Sequence, residues 1–572
     1  MSTEKPLIVQ SDKTVYLEVD SPAFEEARDV LGAFAELVKC PEHIHTYSIS
    51  PLSLWNAASA GLSADEVLQG LRRYSRYPIP ENVEIDIAET MNRFGRLILE
   101  RDGDHLVLRS RDPLLLDEIA RHKKTQAYVE SRLDAHTIKI GKAYRGRLKQ
   151  DLIKFGFPVK DVAGYVEGLP FEIRLRELTL SHRPFALRDY QRSAVASFYR
   201  DGSASGGSGV IVLPCGAGKT MIGLGVMAQL RKQTLILVTN IVALRQWRRE
   251  ILDKTDVSEE QVCEYSGEKK EIGPITVATY QIMTYRKKKS EDFPHLQVFT
   301  ARDWGLIIYD EVHLLPAPVF RMTADIQARR RLGLTATLVR EDGLESDVFS
   351  LIGPKCFDVP WKTLEKQGWI ATAVCHEIRV PLPLEERRKY VMSPPRAQFR
   401  IASENSVKLE LLDRLLENHP DDLVLIIGQY LRQLRVVAST LRLPLITGQT
   451  ANAEREQLYE QFRNGEITRL VVSKVANFAV DLPEANVAIQ ISGTFGSRQE
   501  EAQRLGRILR PKEAGRIAHF YSIVTRDSLE GEFAQKRQRF LTEQGYRYSI
   551  QSRETASAMP SEILPARLGS GS

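Results

Sequence analysis

From about Arg183 onward, short continuous apolar runs alternate with longer segments whose apolar positions recur at helical spacing. Runs of that kind read as strands buried on both faces, and their alternation with helices predicts parallel sheets covered by helices. GVIVLP, TLILVTN, ITVATY, LIIYD and RLGLTAT make one set of strands. LVLIIG, PLITG, RLVVSK, VAIQIS and AHFYSIV make a second, after about Val374. TMIGLGVMAQLRKQ and AEREQLYEQFRNG are helical segments among them. The pattern predicts two α/β domains in tandem, over 183–374 and 375–550, followed by a disordered tail over 551–572.

Before Arg183 the texture changes. FEEARDVLGAFAELVK and SADEVLQGLRRYS read as amphipathic helices and HLVLRS as a strand. TIKIGKAYRGRLKQDLIKFGFP is basic, carrying Lys139, Lys142, Arg145, Arg147, Lys149 and Lys154 against one acid, Asp151. This region predicts small α+β accessory domains over 1–104 and 105–182.

At 572 residues the chain exceeds one core, and its 43% hydrophobic and 27% charged residues are ordinary for a globular protein. No run approaches the ~20 apolar residues of a membrane span, and MSTEKPLIVQSDK lacks a signal-peptide core, so a cytoplasmic protein with no membrane contact is expected. The five cysteines, Cys40, Cys215, Cys263, Cys356 and Cys375, stand singly, which argues against structural zinc and a disulfide framework. A net charge of +5 permits a polyanionic partner without requiring one.

GVIVLPCGAGKT, Gly209 to Thr220, places a glycine-rich turn between a strand and a helix. Gly216 and Gly218, with Pro214, Cys215 and Ala217, would let backbone N–H groups close around phosphate oxygens; Lys219 would reach the outer phosphates and Thr220 a magnesium ion. Glycine at Leu213 would complete the longer form of the motif, and only the GxGKT core is present. Cys215 reads more simply as a small packing residue than as an activated thiol.

Such a loop needs an acidic partner on a neighbouring strand, and LIIYDEVH supplies Asp310 to hold the metal and Glu311 to polarise the attacking water. His313 fits a relay to the next motif. GLTAT puts Thr335, Ala336 and Thr337 at another strand end, followed by Arg340, Glu341 and Asp342, which alone could be a solvated loop. In SRQEEAQRLGRILRPK, Gln503, Arg504, Arg507 and Arg510 share one helical segment; the arginines suit fingers on a γ-phosphate, or a plain amphipathic helix. Together these predict two RecA-like parallel-sheet domains with ATP and Mg2+ between them, working as a motor. Nucleic acid is the expected track, with Gln246, Trp247, Thr279, Tyr280, Ser473 and Lys474 as candidate contacts.

LRDYQ, VIVLPCGAGKT, DEVHLLPAPVFR, LGLTATLVREDG, LIGPK, SKVANFAVDLPEANVAIQIS, GSRQEEAQRLGRILR and KRQRFLTEQGY resemble the XPB family of superfamily 2 DNA helicases, known from the transcription and repair factor TFIIH and from archaeal and bacterial relatives. EHIHTYSISPLSLWNAASAGLSADEVLQGLRRYS resembles that family's N-terminal domain, so the likeness spans roughly Phe24 to Ile550. The resemblance implies 3′ to 5′ DNA unwinding or translocation in repair, a role in unwinding for Arg340, Glu341 and Asp342, adenine reading by Gln191, γ-phosphate sensing by Arg507 and Arg510, and a damage-recognition domain over 105–182. Motif V departs from the family's glycine and aspartate at Ala476 and Asn477, the thumb over about 390–405 is short, and the long acidic linker of eukaryotic members is missing, which implies a compact prokaryotic form. A nuclease or repair protein as partner and association with the nucleoid follow as expectations. The alternatives are an ATP-controlled DNA-opening scaffold with little processive unwinding, and an RNA helicase.

Overall fold

The computed structural model describes residues 5–552 apart from 40–42, 205, 215, 288–292, 328, 337–344, 360, 370, 474–484, 494–516 and 544–547. Cys215, Thr337, Arg340, Glu341, Asp342, Lys474, Gln503, Arg504, Arg507 and Arg510 lie outside the described residues, as do 553–572 of the expected tail. The chain divides into two compact units, Met1–Trp361 and Lys362–Ser572.

The first unit carries three sheets. A four-stranded antiparallel sheet orders Leu7–Val9, Thr14–Glu18, Ile44–Ser48 and Glu36–Lys39, covered by helices that include Phe24–Gly32 and Ala64–Tyr74. Ser63 caps the latter by a capping box with Glu66, as its position before an apolar-periodic run dictates. ELVK, expected to continue the preceding helix, instead pairs antiparallel with Ile44–Ser48: a short polar–apolar–apolar–polar run that suits either element was settled by an available strand edge.

The second sheet orders Val129–Asp134, Thr137–Ile140, His105–Ser110, Leu97–Asp102 and Val159–Asp161. Leu97–Asp102 and His105–Ser110 form one hairpin, so the expected boundary at 104/105 falls inside its turn and the second domain begins near Leu97. The basic stretch also departs from expectation. Arg145 and Lys149, on the helix Arg145–Lys154, are buried on the Asp161 carboxylate at 2.7 and 2.9 Å, and Lys139 pairs with Glu130 at 3.0 Å. Part of its charge is therefore structural and does not face solvent.

The third sheet has seven strands, all parallel, ordered Val262–Tyr265, Ile275–Thr279, Thr234–Val238, Leu306–Asp310, Arg330–Thr335, Ser208–Val212 and Lys355–Asp358. Its central strands are buried along almost their whole length, which is why they read as unbroken apolar runs.

The second unit repeats the theme with seven parallel strands ordered Leu445–Ile446, Arg469–Ser473, Val424–Gly428, Val487–Gln490, Ala518–Thr525, Ala373–Val380 and Tyr548–Ser552. The last strand carries Gln551 and Ser552 into the sheet, two positions expected in the tail. No helix among the described residues is long and apolar enough to cross a membrane.

Candidate nucleotide site

In the first parallel sheet the strand ending in Thr335 lies between the strand that feeds the glycine loop and the strand ending in Asp310. All three exit at the same sheet end. The carboxyl ends of parallel strands are where ligand-binding loops gather in such folds.

The loop needs its glycines: Gly216 and Gly218 hold φ of +83° and +80°, which side-chain-bearing residues rarely adopt. The helix Lys219–Leu230 starts directly after Gly218. Gln191 and Tyr190 fasten the loop from behind. Tyr190 donates its hydroxyl to the Ala217 carbonyl at 2.6 Å, and the Gln191 amide donates to the same oxygen at 3.1 Å while its carbonyl accepts from Arg188 N–H at 2.9 Å. Gln191 is thus 3% exposed and engaged with the loop, and a side chain at Gly218 would collide with it.

Lys219 Nζ reaches Glu311 Oε1 at 3.3 Å. Glu311 Oε2 is buried, 3.5 Å from His313 Nδ1, and has no hydrogen-bond partner among the described residues. His313 Nδ1 and Thr335 Oγ1 share a hydrogen bond at 2.7 Å, with both residues buried. Lys219, Glu311, His313 and Thr335 therefore form a continuous polar chain across three elements. Burial would push the Glu311 carboxyl up, but Lys219, His313 and the Ala336 backbone N–H hold it below the usual range. Glu311 also sits at φ +49°, a conformation costing a non-glycine residue about 1–2 kcal/mol.

Asp310 behaves oppositely. Burial and the neighbouring Glu311 push it up to about 6, against the pull of Trp247 and Lys219. Trp247 donates its indole N–H to Asp310 Oδ2 at 2.8 Å, and Glu311 N–H donates to Oδ1 at 3.1 Å. The Tyr280 hydroxyl donates to the Asp310 carbonyl at 2.9 Å. Asp310 and Glu311 offer carboxylate oxygens and Thr220 a hydroxyl, the hard donors that suit magnesium, and the unpartnered Glu311 Oε2 is an acceptor suited to an attacking water.

Three family models match the chain: ERCC3/RAD25/XPB C-terminal helicase over residues 364–564, type III restriction enzyme, res subunit, over 184–340, and helicase conserved C-terminal domain over 7–134. The chain is 54% identical to the DNA 3′-5′ helicase XPB of Mycobacterium tuberculosis, covering 96% of this chain and 98% of that protein. It belongs to the XPB family of helicases. Similarity within the XPB family extends to eukaryotes: identity is 33% to the general transcription and DNA repair factor IIH helicase/translocase subunit XPB of Enterocytozoon bieneusi, over 96% of this chain and 92% of that one.

Several positions expected to touch nucleic acid do other work in this XPB-family chain. Trp247 is 1% exposed and held on Asp310, Tyr280 is buried against the same residue, and the Thr279 hydroxyl caps the short helix Tyr280–Met283 by accepting from Ile282 N–H. Burial of these three withdraws them from any strand on the surface. Ser473 is likewise buried, at the end of its strand, whereas Gln246 is half-buried and remains accessible. The Trp247–Asp310 and Tyr190–Ala217 bonds had no signal in the linear pattern, since each joins residues far apart in sequence. Gly223 had a weak one: a glycine inside an otherwise strong helix. A Cβ there would lie 2.4 Å from the Trp247 ring.

Proposed function

We propose that the chain is an ATP-driven DNA helicase or translocase of 3′ to 5′ polarity that opens DNA in repair. The observation that carries this reading is the polar chain Lys219–Glu311–His313–Thr335, which ties the phosphate loop to the water-activating carboxylate and to the next motif. The names of its relatives, DNA 3′-5′ helicase among them, support DNA as the track.

Lys219 exchanges Glu311 for phosphate oxygen, and Glu311, held ionised, orients and polarises the water that attacks the terminal phosphate. Asp310 and Thr220 would hold a magnesium ion, which would supply charge neutralisation on the phosphates. Trp247 keeps Asp310 in a single orientation. Gln191 secures the loop through Ala217 and reads adenine by giving up its long amide contact to the Tyr190 hydroxyl, 3.5 Å. His313 reports the state of Glu311 to Thr335. Arg507 and Arg510 serve as fingers at the γ-phosphate, with Gln503 and Arg504 beside them. Arg340, Glu341 and Asp342 act in strand opening, and Gln246 and Lys474 contact the DNA backbone. The span 97–182 serves as the damage-recognition domain, the span 1–96 as the family's N-terminal domain, and a nuclease or other repair protein works as partner at the nucleoid.

The test is steady-state ATP hydrolysis by the full chain without nucleic acid and with single-stranded DNA, forked duplex or RNA, using Lys219→Ala as the blank. Stimulation by DNA and not by RNA is the expected result. Equal stimulation by RNA would redirect the assignment to an RNA helicase, and robust DNA-stimulated turnover without strand displacement would favour a DNA-opening scaffold.

A further inference from the structure

The helix Arg145–Lys154 has one face committed to its own sheet. Arg145 donates through Nη2 and Nε to the Asp161 carboxylate at 2.7 and 3.0 Å and through Nη1 to the Gly164 carbonyl at 2.9 Å; Lys149 adds 2.9 Å to the same carboxylate. Leu148 and Leu152 enter the core of that sheet. Breaking such a buried pair leaves uncompensated charge, so helix and sheet move as one body.

The other face presents Gly146, Gln150 and Ile153, at i, i+4 and i+7. Gly146 lies against the helix Ala317–Asp325, so close that a Cβ would stand 2.3 Å from the Ala324 carbonyl oxygen and no larger side chain fits. Gln150 donates to Asp347 Oδ1 at 3.1 Å, and Ile153 clusters with Phe349 and with Trp55 of the N-terminal domain. Asp347 and Phe349 sit on the helix Glu345–Leu351. The first of these motor helices follows Glu311 and His313, and the second follows Thr335. One accessory helix therefore touches what comes after each partner of the His313–Thr335 hydrogen bond. Just ahead of Thr335, at the start of its strand, Arg330 pairs with Glu167 at 2.9 Å.

We propose that Arg145–Lys154 is a positioning element for ATP hydrolysis. By holding both motor helices it sets the His313–Thr335 contact, and a load on the accessory sheet reaches Glu311 without passing through the nucleotide. Packed side chains and rigid elements are the physical carriers of such coupling. The inference rests on the ATPase reading above.

The test uses the full chain with Gln150→Leu, which keeps volume and removes the donor, Gln150→Lys, which keeps a donor for Asp347, and Asp347→Leu alone and combined with Gln150→Leu. Turnover, KM for ATP and thermal melting are measured for each. Gln150→Leu is expected to lower kcat about threefold or more with KM for ATP and melting unchanged, a size typical of coupling residues. Gln150→Lys should restore kcat, and the double variant should be no slower than either single one, because both remove the same contact. Gly146→Val, which forces the helices apart, should lower kcat further and is read beside its melting curve. Native melting with unchanged kcat in Gln150→Leu would overturn the proposal, as would a loss of kcat that Gln150→Lys fails to restore. If the unaltered chain hydrolyses ATP no faster than Lys219→Ala, the ATPase reading itself falls and this inference with it.

Discussion

Trp247 Nε1 donates to Asp310 Oδ2 at 2.8 Å, tying a helix of the first parallel sheet to the carboxylate best placed for a metal ion. The ring is buried, so the bond is sheltered from competing water, and a hydrogen bond to a charged group there is worth about 1.5–3 kcal/mol. Trp247→Phe keeps the ring and deletes the donor. The magnesium concentration for half-maximal ATP hydrolysis should rise about tenfold, equivalent to about 1.4 kcal/mol. A magnesium titration checks it, and an unchanged midpoint would remove Trp247 from the site.

Gly223 makes room for that ring. Gly223→Ala would bring a Cβ to 2.4 Å from Trp247 Cη2, and since neither the helix nor the buried indole has free space, the cost should be about 1–3 kcal/mol. Urea denaturation measures the loss. Turnover should fall too, because the shifted indole leaves Asp310.

At the centre of the site, Lys219→Ala and Glu311→Gln should each abolish turnover, the second with nucleotide binding kept, because amide and carboxylate fill the same space. Fluorescent-nucleotide binding beside hydrolysis separates the two effects. Arg507→Ala should still bind ATP and turn it over at least about tenfold more slowly, the low side of finger effects.

The second unit should lose stability in mild acid. His376 stacks on Tyr521 at 4.8 Å, with His519 and His419 around the same tyrosine, and His419 bonds Asp422 at 2.9 Å. Burial, then the two neighbouring histidines, hold His376 down to about 4, against 6.5 in an unfolded chain. Between those values the unfolded state binds the extra proton, so the stabilisation is complete above about pH 6.5 and is lost as pH falls towards 4, by as much as about 3 kcal/mol. Urea midpoints at pH 7.5 and 5 should show the fall, and His376→Phe should flatten it.

Both tandem parallel sheets, the phosphate loop and the acidic strand end were legible in the sequence because each is written in near neighbours. A strand buried on both faces must be continuously apolar, a phosphate turn must carry glycines where φ is positive, and the chemical groups follow within a few positions. The tertiary structure decided matters that depend on distant pairing. ELVK became a strand because Ile44–Ser48 offered it an edge. Arg145 and Lys149 became buried anchors because Asp161 arrived beneath them. Trp247, whose type and place suited a surface contact, turned inward because Asp310 needed a donor and Gly223 left it space. Periodicity tells a chain which faces to bury; only the packed fold selects the partner each buried polar group will meet.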